Sequence, residues 1–441
     1  MLYNGPLESG LKTLPMIFDL PFGGDTLSVT IPDPLLGEVV SPKHIETPTD
    51  PQCLIQDALA NPIGSPPLDE LVKPGQSVAI IVDDFTRETP VHLMLPPVLE
   101  QICSVGVSRD DIQVVIALGT HRPMSETEIL AKLGRSVVEQ YDVFNTPCEQ
   151  TDAFEYLGDS SNGIPAWVNR AVVNADVRIG IGNISPHSDA GYSGGAKIIL
   201  PGVCNDVTVN AFHARGAAEE RNLLGDYEGP MRKDLEMFVE DRIGLDFILN
   251  AVLTSEGDLY ECVAGHFVEA HRAGVQFSRD LYSITVARQY PVVVVNSPSE
   301  LDLWFCSKGI WMGEPMVSDG GTLILLTSCD EGITVHPQYA DYMGNDPDEL
   351  QNALDEGRVD DPNACAAGIQ VGRMRKRINF ALVSPGLSSE ISARMGFAYY
   401  NSVEEALAEI FTPDVEEGSI GLMTYCDYTI PLVGLEGQRG A

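Results

Sequence analysis

From residue 77 onward the chain alternates short runs of β-branched residues with longer segments in which apolar residues recur every three or four positions. "SVAIIVDD" (77–84) is a continuous apolar run with polar ends, which predicts a strand buried on both faces. "VHLMLPPVLEQICSVG" (91–106) predicts a helix and "IQVVIALG" (112–119) the next strand. Ser125 and Glu128 open "ETEILAKLG" with the spacing of a capping box. "VRIGIGN" (177–183) predicts a further strand, and "DFILNAVLTSEGDLYECVAGH" (246–266) predicts strands closing a first domain. Strand, helix, strand, helix in succession means a parallel sheet.

After a crossing near 272–290 the rhythm restarts. Strands are predicted at 291–298, 321–328 and 378–385, alternating with helices over 302–313, 348–357 and 403–411. The expected fold class is α/β, with two α/β domains, a Rossmann-like parallel sheet in the first and the active site in the interdomain cleft. The expected units are an N-terminal cofactor-binding and catalytic domain (1–275), a C-terminal domain (276–418) and a tail (419–441) that returns to the first. A length of 441 residues fits this division, because one compact core rarely grows so large. The Pro-rich first 70 residues predict no element.

Composition narrows the class. No apolar run reaches the roughly 18 residues that span a bilayer, and the opening residues lack a basic cluster followed by an apolar core. Nine cysteines with no C-x-x-C pair suit neither a disulfide framework nor a zinc site. A cytoplasmic protein is expected, with Cys148, Cys204 and Cys306 as small buried thiols. The net charge of −37 repels phosphate backbones and anionic lipids, so neither a nucleic acid nor a membrane is an expected partner. A small anionic substrate would need local cations, for which Arg87, Arg122, Lys197 and Lys308 are candidates.

Ligands of doubly wound sheets bind beyond the carboxyl ends of the strands. Asp83, Asp84 and Arg87 follow the first predicted strand, His121 and Arg122 the second, and Pro186 and His187 the third. Two histidines and an arginine would converge on one rim. Next comes "HSDAGYSGGAKIILPG" (187–202), where Gly191, Ser193 and Gly195 have the G-x-S-x-G order of a nucleophilic serine. A nucleophile elbow sits directly between strand and helix, whereas here the strand ends near Asn183, well ahead of Ser193. The string is not a P-loop either, since Ala196 and Ile198 flank Lys197. Gly191, Gly194 and Gly195 offer a bare backbone that could approach a ligand closely and present N–H groups to an anion.

"DDFTRETP" (83–90), "ALGTHRPM" (117–124), "PHSDAGYSGGAKIILPGV" (186–203), "NAFHAR" (210–215) and the lysine of "WFCSKGI" (304–310) together resemble the lactate racemase family, the nickel-pincer enzymes. The resemblance covers 78 to about 310, and its third motif is long and specific. It implies a racemase or epimerase of a 2-hydroxy acid, acting by proton-coupled hydride transfer through a 2-keto acid. It implies a nickel-pincer nucleotide cofactor, a pyridinium mononucleotide whose two sulfur-bearing arms and ring carbon bind nickel, covalently attached at Lys197. His213 would complete the nickel's coordination, which suits a square-planar ion needing one imidazole from protein. His121 and His187 would be the acid/base pair, with Arg87, Lys308, Asp84 and Trp304 at the substrate and Gly191, Gly194 and Gly195 at the cofactor. Cofactor-maturation enzymes would be partners.

Direct deprotonation beside a carboxylate would place two negative charges side by side, which hydride transfer avoids; bases on opposite faces are then required. Where the family commonly has a Tyr-Gln pair before the lysine, this chain has Trp304 and Phe305, so a side chain other than that of lactate is expected at the substrate. Two other classes stay open on sequence. A serine hydrolase would use Ser193, and a non-catalytic cofactor or nickel carrier would need Lys197 and His213 but neither His121, His187 nor Arg87.

Overall fold

The computed structural model describes residues 15–47, 50–411 and 416–434. Two six-stranded sheets organise it. In the first, Val78–Asp83 lies between Val177–Asn183 and Ile112–Ala117, with Asp142–Phe144 at one edge. Phe247–Leu253 and the antiparallel edge strand Leu259–Gly265 complete the other side. Every residue of Val78–Asp83 is buried, as a central parallel strand covered on both faces requires. Leu95, Val98 and Ile102 of the helix Val91–Ser104 pack with one face, while Phe212, Leu235 and Phe238 belong to the cluster on the other. The capping box at Ser125 and Glu128 forms, opening the helix Glu126–Leu133.

The second sheet is wholly parallel, in the order Ala398–Tyr400, Asn379–Val383, Val317–Leu326, Tyr290–Asn296, Ile420–Met423, Leu36–Val40. Its far edge is a finding of the structure. Leu36–Val40, from the stretch in which no element is predicted and which the expected division places with the N-terminal domain, pairs with Ile420–Met423 from the other end of the chain. The hairpin Met16–Phe22/Asp25–Ile31 contributes Leu20, Val29 and Ile31 to the same sheet's core. Beyond Ile420–Met423 the chain returns toward the first sheet, where Tyr428 and Ile430 pack with Ile184, Tyr192 and Val252. Residues 435–441 of the expected tail lie outside the described residues.

The helix expected over 302–313 is two pieces, Leu303–Cys306 and Lys308–Gly313, joined at Ser307. Among the described residues no helix is long and apolar enough to cross a membrane. Strand order reverses beside Val78–Asp83 in the first sheet and beside Tyr290–Asn296 in the second. The loops leaving these switch points face each other across one cavity of about 300 Å³.

Candidate active site

Asp84 follows the last residue of its strand and is buried. Its Oδ1 accepts from the Thr86 hydroxyl and N–H (2.6 and 3.1 Å), and its Oδ2 lies 2.6 Å from His121 Nδ1. Burial pushes this carboxyl up, but His121, Thr86 and Arg87 outweigh burial and hold it at about 2. An ionised Asp84 makes His121 Nδ1 the donor, which leaves the lone pair on Nε2. Asp84, expected at the substrate, therefore has both oxygens engaged within the protein. Asp83 faces Lys132 at 2.7 Å and accepts from Thr89. The Lys132 ammonium also donates to the Arg87 carbonyl, 2.7 Å away, tying down the turn that carries Arg87.

His187 is held in the opposite sense. Its Nδ1 accepts from the Asp189 and Ala190 N–H groups (3.1 and 3.3 Å), so in the neutral ring the hydrogen sits on Nε2. Burial, then the neighbouring Lys197, Arg87, His213 and Lys308, push it well below the usual imidazole range. His213, on the helix Asp206–Gly216, places Nδ1 3.2 Å from Asp189 Oδ2. Burial raises Asp189, but His213 and Lys197 outweigh it and keep the carboxyl below its usual value. A carboxylate behind an imidazole, with the second nitrogen left over, is the arrangement of a metal-ligating histidine. Asp189 is a site residue the sequence reading missed, although it stands two positions after His187.

Lys197 lies in the short 3₁₀ turn Gly195–Ile198 and lines the cavity. Burial, then Arg87, lowers its amine to about 7. Of the three glycines expected at a cofactor, only Gly194 lines the cavity. A Cβ on Gly191 would meet the Asp226 carbonyl at 2.3 Å, and one on Gly195 would meet the His271 ring at 2.9 Å, so these two serve close packing. Nor is the Gly195 N–H open to an anion, because it donates to Asn250 Oδ1 at 2.9 Å.

Ser193 is a fastener. Its hydroxyl donates to the Asn183 carbonyl (2.8 Å) and accepts from the Ser185 N–H (2.9 Å), and among the described residues no histidine bonds it. His271 reaches the Ser193 carbonyl instead, at 2.9 Å. This removes the serine-hydrolase alternative. Arg122 is also away from the cavity, paired with Glu128 at 2.7 Å and lying over the Phe85 ring.

The opposite wall comes from the second sheet. Phe305 sets its ring against His121 (centroids 5.2 Å), and Trp304 packs on His336 (4.3 Å) and Tyr339 (5.0 Å). Lys308 lies 2.7 Å from Asp427, and the Tyr428 hydroxyl donates to Glu88. Asp427 and Tyr428 sit on the returning segment and were likewise missed. Among the described residues no three His, Cys, Asp or Glu side chains converge to hold a metal. A metal at His213 would have to bring its other donors, as an organic pincer ligand does, and a half-neutral buried amine beside it suits covalent attachment. The residues fit the group that the sequence resemblance implies.

Similarity places this geometry. The model of the lactate racemase N-terminal domain matches residues 22–225. The lactate racemase of Thermoanaerobacterium thermosaccharolyticum is 27% identical over 351 residues, 76% of this chain and 80% of that one. The lactate racemase of Lactiplantibacillus plantarum is 26% identical over 414 residues, 91% and 96% of the two chains. The structure of the T. thermosaccharolyticum lactate racemase apoprotein superposes with a TM-score of 0.84 at 25% identity, over 95% of this chain and all of that one. A Thermotoga maritima protein shares the fold at 20% identity with a TM-score of 0.67. Fold and similarity together define an isomerase, a racemase. Over most of its length the chain is similar to lactate racemases, and its residues 22–225 to the N-terminal domain of that family.

Proposed function

We propose that this chain racemises or epimerises a 2-hydroxy acid through a 2-keto acid, with a nickel-pincer nucleotide held by Lys197 and His213. The observation that carries the proposal is the convergence, on one cavity, of a buried amine, a carboxylate-backed imidazole, two further histidines and Arg87. When bound, the nucleotide supplies a reversible acceptor for the substrate's α-hydrogen and its electron pair. The chain's own residues do the rest. Arg87 and Lys308 bind the carboxylate, Arg87 with a planar fork matched to it. His121, its Nδ1 fixed by Asp84, takes the hydroxyl proton at Nε2 as the bond to carbon becomes a carbonyl. His187 presents an Nε2–H to the substrate oxygen, and becomes a base only by giving up the two N–H bonds at Nδ1. The two histidines thus start the reaction in different states.

The substrate would carry a side chain larger and more apolar than a methyl group, since Leu301, Trp304 and Phe305 line the wall facing His121. Cofactor-maturation enzymes would be partners, and a reducing cytoplasm would suit nine unpaired thiols. The retained Asp84–His121 pair and Arg87 argue against a non-catalytic carrier, which needs none of them. Protein co-produced with maturation enzymes should hold about one nickel per chain, with a mass adduct on the Lys197 peptide, and should interconvert the enantiomers of at least one 2-hydroxy acid. Loaded protein inert toward a broad panel would return the carrier reading.

A further inference from the structure

Arg232 is a cation with no exposed surface, on the helix Pro230–Arg242. Among the described residues it makes no ion pair. Its Nε donates to the Ala190 carbonyl and its Nη1 to that of Gly194, both at 3.2 Å, while Nη2 donates to that of Tyr192. His271, equally buried, donates from Nε2 to the Ser193 carbonyl at 2.9 Å. Its Nδ1 accepts from Arg272, which grips both carboxylate oxygens of Glu236 at 2.8 Å. Two side chains thereby hold the carbonyls of residues 190, 192, 193 and 194, the run that leads to Lys197.

A buried guanidinium is costly unless its donors are satisfied, and an apolar side chain could fill the same volume. What an apolar side chain could not do is turn successive carbonyls to one side. Gly194, at φ +76°, and the Gly195 N–H bond to Asn250 then direct the chain into the 3₁₀ turn of Lys197. We infer that Arg232, with His271 as a second holder, is a positioning residue that fixes the 190–195 loop and so sets Lys197 into the cavity as a reactive amine. The inference rests on Lys197 being the attachment point of the proposed function, and it concerns what makes that amine ready.

The groups facing Lys197 are Arg87, Asp84, Asp189, His187 and Arg232 itself. Arg87 and Arg232 oppose its protonation, and the two carboxylates favour it. Loosening the loop would admit water and weaken the hold of the cations, and both changes raise the amine's pKa.

The test uses the full chain without cofactor. Trace acetic anhydride is applied across pH 5 to 11, and acetylation of the Lys197 peptide is read by mass spectrometry against exposed Lys73. In the native chain Lys197 should label with a midpoint near 7. Arg232→Met, which removes the charge, and Arg232→Lys, which keeps it without the fork, should both move the midpoint up by about one pH unit, roughly fivefold slower labelling at pH 7. His271→Leu should move it in the same direction, and His271→Gln, which keeps an N–H donor, should restore it. Should the Arg232 variants fail to fold, the His271 pair decides. A native midpoint near 7 that stays put in the folded variants overturns the positioning role alone. Native Lys197 labelling like Lys73 overturns both this inference and the reading of Lys197 as a reactive amine, while the similarity to lactate racemases stands.

Discussion

The wall that the first sheet gives the cavity carries three histidines, and each is fixed through Nδ1: His121 by Asp84, His187 by two backbone N–H groups, His213 by Asp189. The wall from the second sheet offers Leu301, Trp304 and Phe305, with one cation, Lys308, already engaged by Asp427. Proton and metal chemistry needs groups held within a fraction of an ångström, which buried hydrogen bonds provide. Selecting a side chain needs shape and apolar area, which aromatic rings provide. One wall is built for reaction and the other for choice, so substitutions on the two should separate turnover from specificity.

The largest effect is expected on the first wall. His121→Asn should lower kcat about 10²–10⁴-fold while nickel stays bound, because the ligating and tethering residues are elsewhere. Asp84→Asn should lose a comparable amount, since an amide no longer demands the Nδ1–H tautomer of His121. Steady-state rates with nickel content measured on the same samples check both. Equal rates in either variant would place proton transfer elsewhere. The Asp84 pairing also predicts an acid limit. A carboxyl held at about 2 in the folded chain, against 3.8 ordinarily, contributes stability that is whole above pH 4 and lost as pH falls toward 2. Asp84→Asn should flatten that part of the unfolding curve.

Next in size is Arg87→Ala. Loss of a charge-assisted, bidentate contact to a carboxylate costs about 1.5–3 kcal/mol, a rise in KM of roughly 10–150-fold. An unchanged KM would remove Arg87 from the substrate. Phe305→Gln should act differently, leaving the rate on lactate within a few fold while reducing kcat/KM for a bulky apolar 2-hydroxy acid by about tenfold or more. A variant that lost both substrates equally would make Phe305 a support for His121 instead.

Much of the first wall is legible in the chain because its chemistry stands where strand patterns stop: Asp84 after "VAIIVD", His121 after "VVIALGT", His187 after "VRIGIGNIS". The second wall is less so. Asn363 lines the cavity from the helix Pro362–Arg375, whose small residues Ala364, Ala366 and Gly368 are buried nearly all round and leave no polar stripe to mark a helix. Asp206–Gly216, which carries His213, is obscured differently, since an exposed Val207 and a buried Thr208 blur its apolar face, so only the family motif points to that histidine. Leu36–Val40 alternates weakly and finds its partner almost four hundred residues away, a pairing no local pattern encodes. The glycines mislead for a related reason. Gly191 and Gly195 are needed for packing against Asp226 and His271, contacts that lie outside their own motif.

The smallest expected effect tests how the two walls meet. Lys308 and Asp427 form an ion pair at 2.7 Å with each side chain 27% exposed, so water screens it and its worth is about 0.2–1 kcal/mol. A substrate carboxylate arriving at Lys308 must compete with Asp427 for the same ammonium. Burial, then Asp427, raises the neighbouring Glu88 carboxyl, which shows how crowded with negative charge this corner is. Asp427→Asn removes the competitor and keeps the shape. KM should therefore fall by about two- to fivefold at low ionic strength, and the gain should shrink as salt screens the corner. Lys308→Met should raise KM in the same assay, by less than Arg87→Ala, because Lys308 begins already paired. If Asp427→Asn instead raised KM to the level of Lys308→Met, Asp427 would be the group that holds Lys308 in place for the substrate, and the returning segment would belong to the reactive wall.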